Sequence, residues 1–202
     1  MALNFANNNS LSAITTLPAS ISGGGMTLIS EQTASSSSTI DFTSEIDSTY
    51  DSYMFKFYDI HPNQSSTRFQ FNGSIDSGSN YNVTKTTLIF IAGHNEADSD
   101  ATLTYQSGDD HAQSTAFQDL AAYGDSDNAD DSCLTGTLQI FNPSSTTFVK
   151  NFIARTNYVA NNYYSVDSYT SGYFNNTNNL DAIRFQMTSG TFNGVIKLYG
   201  IS

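Results

Sequence analysis

From Met26 onward the chain alternates apolar and polar residues with a period of two, the signature of strands buried on one face. In RFQFN, residues 68–72, Phe69 and Phe71 fall on one side and Arg68, Gln70 and Asn72 on the other. In AIRFQM, residues 182–187, Ile183, Phe185 and Met187 alternate with Arg184 and Gln186. Nine further runs read as strands, at 26–32, 38–43, 51–60, 81–92, 101–106, 133–141, 147–155, 163–173 and 194–201. Clusters of Gly, Ser, Asn and Asp separate these runs. The expected fold is therefore all-β, an antiparallel β-sandwich, jelly-roll-like, over residues 26–202.

Two connections read as hairpin turns. GSIDSGSN, residues 73–80, joins the Phe69/Phe71 strand to YNVTKTTLIF, and NPSS, residues 142–145, joins LTGTLQIF to TTFVKNFIAR, with Pro143 suited to the second position of a type I turn. A helix of one or two turns is expected in STAFQDLAAYG, residues 114–124, where Phe117, Leu120, Ala121 and Gly124 follow a short helical spacing. Residues 1–25 differ from the rest: Leu3, Phe5, Leu11, Ile14 and Leu17 stand isolated among small polar residues ahead of three glycines. Such a segment cannot bury its apolar side chains on itself, so it reads as an extended N-terminal arm that docks on a neighbour.

Composition narrows the function. The 202 residues carry a formal net charge of −12 from 19 acids and only seven Lys or Arg. Scattered cations of that number argue against a nucleic-acid groove, and against an anionic membrane surface, since both draw affinity from clustered positive charge. The apolar runs are strand-sized, far short of the roughly 20 residues of a spanning helix. Ser, Thr and Asn exceed a third of the chain, while Phe and Tyr supply much of its apolar content. A single cysteine, Cys133, excludes an intrachain disulfide and reads as a core thiol at a strand edge.

Candidate chemistry is thin. The acidic loop GDSDNADDS, with Asp125, Asp127, Asp130 and Asp131, offers oxygen ligands to calcium but lacks the central Gly and closing Glu of a helix–loop–helix site, so a solvated loop is the stronger reading. His94 lies near Glu96, Asp98 and Asp100, and His111 near Asp109 and Asp110, yet none sits in a hydrolase or glycosidase motif. His61, before Pro62, reads as a strand-end residue. No catalytic residue, cofactor or metal is expected. Tyr158, Tyr163, Tyr164, Tyr169 and Tyr173 form a polar-flanked aromatic run that suits strand positions, a subunit interface or contact with a glycan.

TASSSSTIDFTSEIDSTYDSYMFKFYDIHP (33–62), FQFNGSIDSGSNYNV, LQIFNPSSTTFVKNF (138–152) and GVIKLYGI (194–201) together resemble small virion structural proteins of marine tailed bacteriophages. The resemblance implies a non-enzymatic component of the phage head or tail, a capsid decoration or tail appendage, displayed on the virion exterior and made in the host cytoplasm. Its implied partners are other virion proteins and further copies of itself, as a trimer or larger homo-oligomer. The residues agree, since a low-charge β domain with an arm suits repeated assembly. The alternative is a tail-fibre or spike module that recognises host-surface glycan through the tyrosine run or the loops at 73–80 and 93–113.

Overall fold

The computed structural model describes residues 25–124 and 126–202. The arm residues Leu3, Phe5, Leu11, Ile14 and Leu17, together with Asp125, lie outside them. Among the described residues twelve strands run in the order β1 (Thr27–Ser37), β2 (Thr39–Phe42), β3 (Ser52–Pro62), β4 (Phe69–Ser74), β5 (Lys85–Asn95) and β6 (Ala101–Tyr105), then β7 (Gln118–Asp119), β8 (Leu134–Phe141), β9 (Lys150–Val159), β10 (Tyr164–Phe174), β11 (Ala182–Met187) and β12 (Phe192–Ile201). Each expected run is a strand, with ends shifted by a few residues, and β7 is additional.

All pairings are antiparallel and form two sheets. The larger has the order β1-β12-β3-β8-β9-β10-β5-β6 and the smaller β2-β11-β4-β7. Where a jelly roll comprises eight strands in two Greek keys, the described strands divide eight and four. Period-two alternation sends one side of each sheet inward. Phe55 and Phe57 of β3 meet Phe185 of β11 with ring centroids 5.0 and 5.2 Å apart, Phe57 meets Phe69 of β4 at 5.2 Å, and Phe71 of β4 meets Phe152 of β9 at 5.2 Å. These rings cross nearly edge to face, the arrangement their quadrupoles favour, and all six are buried.

Three expectations are corrected. The 73–80 connection is no hairpin: β4 lies in the smaller sheet and β5 in the larger, so the segment crosses between layers. Its Asp76 is structural, accepting from Ser74 Oγ at 2.7 Å and from the backbone and side-chain nitrogens of Asn80 at 2.9 and 2.7 Å, bonds that lower its pKa. The expected helix at 114–124 is instead bends and the two-residue β7. Its backbone and side chains are claimed by strands: Leu120 N donates to Phe69 O at 2.8 Å, and buried Gln118 accepts from Thr87 Oγ1 while donating to Asp109 O. A helical spacing only one or two turns long could not outweigh these pairings. Cys133 is exposed just before β8, not in the core. The NPSS connection does join a hairpin, β8 to β9, with Ser145 N donating to Asn142 O at 3.1 Å.

Phe185 touches the rings of Phe42, Phe55, Phe57 and Phe69 and joins the sheets at the centre of the core. Phe185→Ala should cost about 3–5 kcal/mol of unfolding free energy, read from the shift in urea midpoint.

Candidate functional site

With one side of the larger sheet against the core, its other side faces solvent, and this outer face gathers the side chains most able to bind. Antiparallel register aligns Tyr105, Phe90, Tyr169 and Arg155 across β6, β5, β10 and β9. The same row continues through Thr137 and Lys56 to Lys197 and Glu31 at β1. Phe90 and Tyr169 stack, with centroids 4.8 Å apart and planes 3° from parallel, and the Arg155 guanidinium lies 5.0 Å from the Tyr169 ring centre. Arg155 Nη2 donates to Asp167 Oδ2 at 2.6 Å and Nε to Oδ1 at 3.0 Å, which holds the Asp167 carboxyl below its ordinary pKa. Lys197 Nζ pairs with Glu31 at 2.8 Å and sits 5.5 Å from the Tyr58 ring centre.

Within this face β8 forms the floor of a trough. Thr135, Gly136 and Thr137 are short, while Lys56 and Tyr58 rise from β3 on one side and Arg155 and Asn157 from β9 on the other. The space has a volume of about 440 Å³. A Cβ at Gly136 would stand 2.3 Å from the Arg155 carbonyl oxygen, so the close approach of β8 and β9 at this point requires glycine. A second depression of about 210 Å³, bounded by Ala92, Gly93, His94 and Thr102, shares Asn157 and Asp167 with the first. The two adjoin at these residues. Lys56 contacts the Tyr199 ring at 5.3 Å, and among the described residues its Nζ has no carboxylate partner. Toward the other end, Leu88, Phe90, Leu103, Tyr105 and Ile153 form an apolar patch, with Leu103 77% and Ile153 56% exposed.

The tyrosine run is dispersed by the fold. Tyr158 is buried, so it contacts neither partner nor glycan: its hydroxyl donates to Tyr123 O and accepts from Tyr123 N, both at 2.8 Å, and burial raises its pKa. Tyr163 is exposed in the β9–β10 turn, and Tyr164 packs on Tyr123 and donates to Asp100 at 2.5 Å, which pushes its pKa up to about 12. Tyr169 alone of these four lies within the aromatic row. Period two in KFYDIH and NFIARTN marks Lys56, Tyr58, Ile153, Arg155 and Asn157 as one-sided, but gives no sign that those sides adjoin.

The other candidates serve the scaffold. His94 Nε2 is 3.1 Å from Asp98, and both are exposed; His111 Nε2 donates to Phe117 O at 3.0 Å. Asp109 and Asp119 hold Arg68, and His61 Nδ1 donates to Ser132 O at 2.8 Å. The Cys133 thiol is pushed up in pKa by desolvation and then by the Asp59 charge, opposite to what a thiolate nucleophile needs. In the acidic loop Asp127 accepts from Ser65 Oγ at 2.6 Å while Asp130 and Asp131 face solvent, and among the described residues no three His, Cys, Asp or Glu side chains are grouped to hold a metal. Compared with protein-family models, curated proteins and solved structures, the chain shows no significant match to any.

Two lysines unforeseen from the sequence are buried at one end of the core, on either side of Phe174 across β5, β10 and β9. Lys150 Nζ donates to Asn176 O at 3.1 Å, and Lys85 Nζ donates to Asn72 Oδ1 at 2.9 Å. Asn72 is itself buried, donating to Tyr81 O and Thr115 O at 2.8 and 2.9 Å, because these segments cover the side of β4 expected to meet water. Desolvation lowers the Lys85 pKa from 10.5 to about 7. The unfolded chain then binds this proton more tightly than the fold does. Its destabilising effect is full below about pH 7 and fades as pH rises toward the unfolded value. Between pH 7 and 9 this group should raise the wild-type unfolding free energy by about 2 kcal/mol, and Lys85→Met should be more stable at pH 7 and lose most of that rise, as measured by urea titration. Asn72 Oδ1 keeps Gly73 N as a donor at 2.8 Å, so the substitution leaves no orphaned acceptor.

Proposed function

We propose that this chain is a non-enzymatic bacteriophage virion structural protein, a capsid decoration or a head or tail appendage component on the particle exterior. It acts by assembly among identical copies and other virion proteins. The observation that carries this reading is the apolar patch of Leu88, Phe90, Leu103, Tyr105 and Ile153 on an otherwise acidic, Ser/Thr/Asn-rich molecule. Contiguous exposed apolar surface of this kind marks interaction sites. The flat sheet beneath it offers a rigid contact, and many copies make individually weak contacts sufficient. The sequence resemblance to virion proteins of marine tailed phages supports the same reading, with the arm of Leu3, Phe5, Leu11, Ile14 and Leu17 as a second attachment to a neighbour.

A second reading, recognition of host-surface glycan, is favoured by the trough over β8. It pairs an aromatic rim with a hydroxyl-bearing floor and an amide on its wall, the combination that takes sugar rings.

Deletion of residues 2–25 should leave a folded β domain that no longer enters particles, and Leu103→Ser with Tyr105→Ser should reduce incorporation at unchanged thermal stability. Quantifying the protein in purified particles checks both; full occupancy by both variants removes the assembly reading.

A further inference from the structure

Of the seven Lys and Arg residues, two are buried at the end of the core, Arg68 directly precedes β4 and Arg184 lies in β11 of the smaller sheet. The remaining three, Lys56, Arg155 and Lys197, stand in one cross-strand row on the outer face of the larger sheet. Arg155 and Lys197 are matched by Asp167 and Glu31, which leaves Lys56 as unneutralised positive charge at the wall of the trough. On a molecule of net charge −12 this is a local inversion of sign, set where a ligand would lie.

The trough also has the fittings of a sugar site. Thr137 Oγ1 has no hydrogen-bond partner among the described residues, and Asn157 uses its Nδ2 on Val166 O at 3.0 Å while its Oδ1 remains available. Tyr58 presents a half-exposed ring at the rim, steadied by Lys197. On the other side of Asp167 lies the depression beside Gly93 and Thr102, so an extended chain can rest across both. A nucleic acid would need several free cations, and this face supplies one.

We infer that the trough over β8 binds an acidic oligosaccharide, with a uronate carboxylate on Lys56 Nζ, a pyranose ring against Tyr58, and hydroxyls on Thr137 and Asn157. This rests on the glycan-recognition reading and specifies its ligand class. Arg155 and Asp167, already paired, fix the far wall and keep Arg155 from competing for the carboxylate.

The test is calorimetric titration of the full chain with galacturonate and mannuronate tetramers and with the methyl-esterified galacturonate tetramer. Wild-type protein should bind at least one acidic tetramer and bind the ester about tenfold or more weakly, since a charge-assisted hydrogen bond is lost. Lys56→Gln should lose a similar factor toward the acid and change little toward the ester, at an unchanged melting temperature, and added salt should weaken only the acid. Equal binding of acid and ester, or full retention by Lys56→Gln, overturns the acidic site while leaving glycan recognition standing. No binding of either acid or of the ester overturns both. Leu88→Ser, on the apolar patch and lining neither depression, should bind as wild type; a parallel loss in that variant would place the sugar on the apolar patch and sink the assignment.

Discussion

The fold depends on aromatic rings meeting between two sheets of unequal size. Phe185 stands where β11 faces β3, and around it Phe42, Phe55, Phe57 and Phe69 close the gap between layers. Side chains from the two inner faces interdigitate across the roughly 10 Å between stacked sheets, and each large ring removes much apolar area from water there. The chain contains no tryptophan and few leucines at these positions, so phenylalanine carries the interlayer contact.

Unequal size has a functional consequence. The four-stranded sheet covers one side of the eight-stranded one, and the other side of the larger sheet is left as a broad pleated surface. Its alternate residues must point outward whatever they are. Here they include stacked aromatics, exposed aliphatics and the three accessible lysine and arginine side chains of the larger sheet, an arrangement solubility alone would not favour. Short residues on β8 then turn part of that surface into a trough, while Leu88, Phe90, Leu103 and Tyr105 make the β5–β6 end apolar.

The core is not purely apolar. Lys85, Asn72, Thr87 and Gln118 form a buried polar set that ties the 109–119 segment to β4 and β5. Such a network specifies where an otherwise irregular segment sits, at the cost of desolvating an amine. Period two sets Lys85 on the side of Thr87, Ile89 and Ile91, which is buried, but nothing local in KTTLIF says that Asn72 and a distant loop will meet its amine there. The same blindness explains the helix expected at 114–124, where Gln118 is captured by Thr87, thirty-one residues earlier in the chain.

Alternation by itself determined that this protein is built from antiparallel strands and which side chains, Phe69, Phe71, Ile183 and Phe185 among them, enter its core. That information is local, because successive residues on a strand point to opposite sides regardless of context. Which strands became neighbours was decided only by the tertiary structure: it separated β4 from β5, buried Tyr158 while exposing Tyr163, and drew Lys56, Arg155 and Lys197 from distant segments into one row. Pairing of remote strands is chosen by the packing of the whole molecule, and no window of sequence contains it.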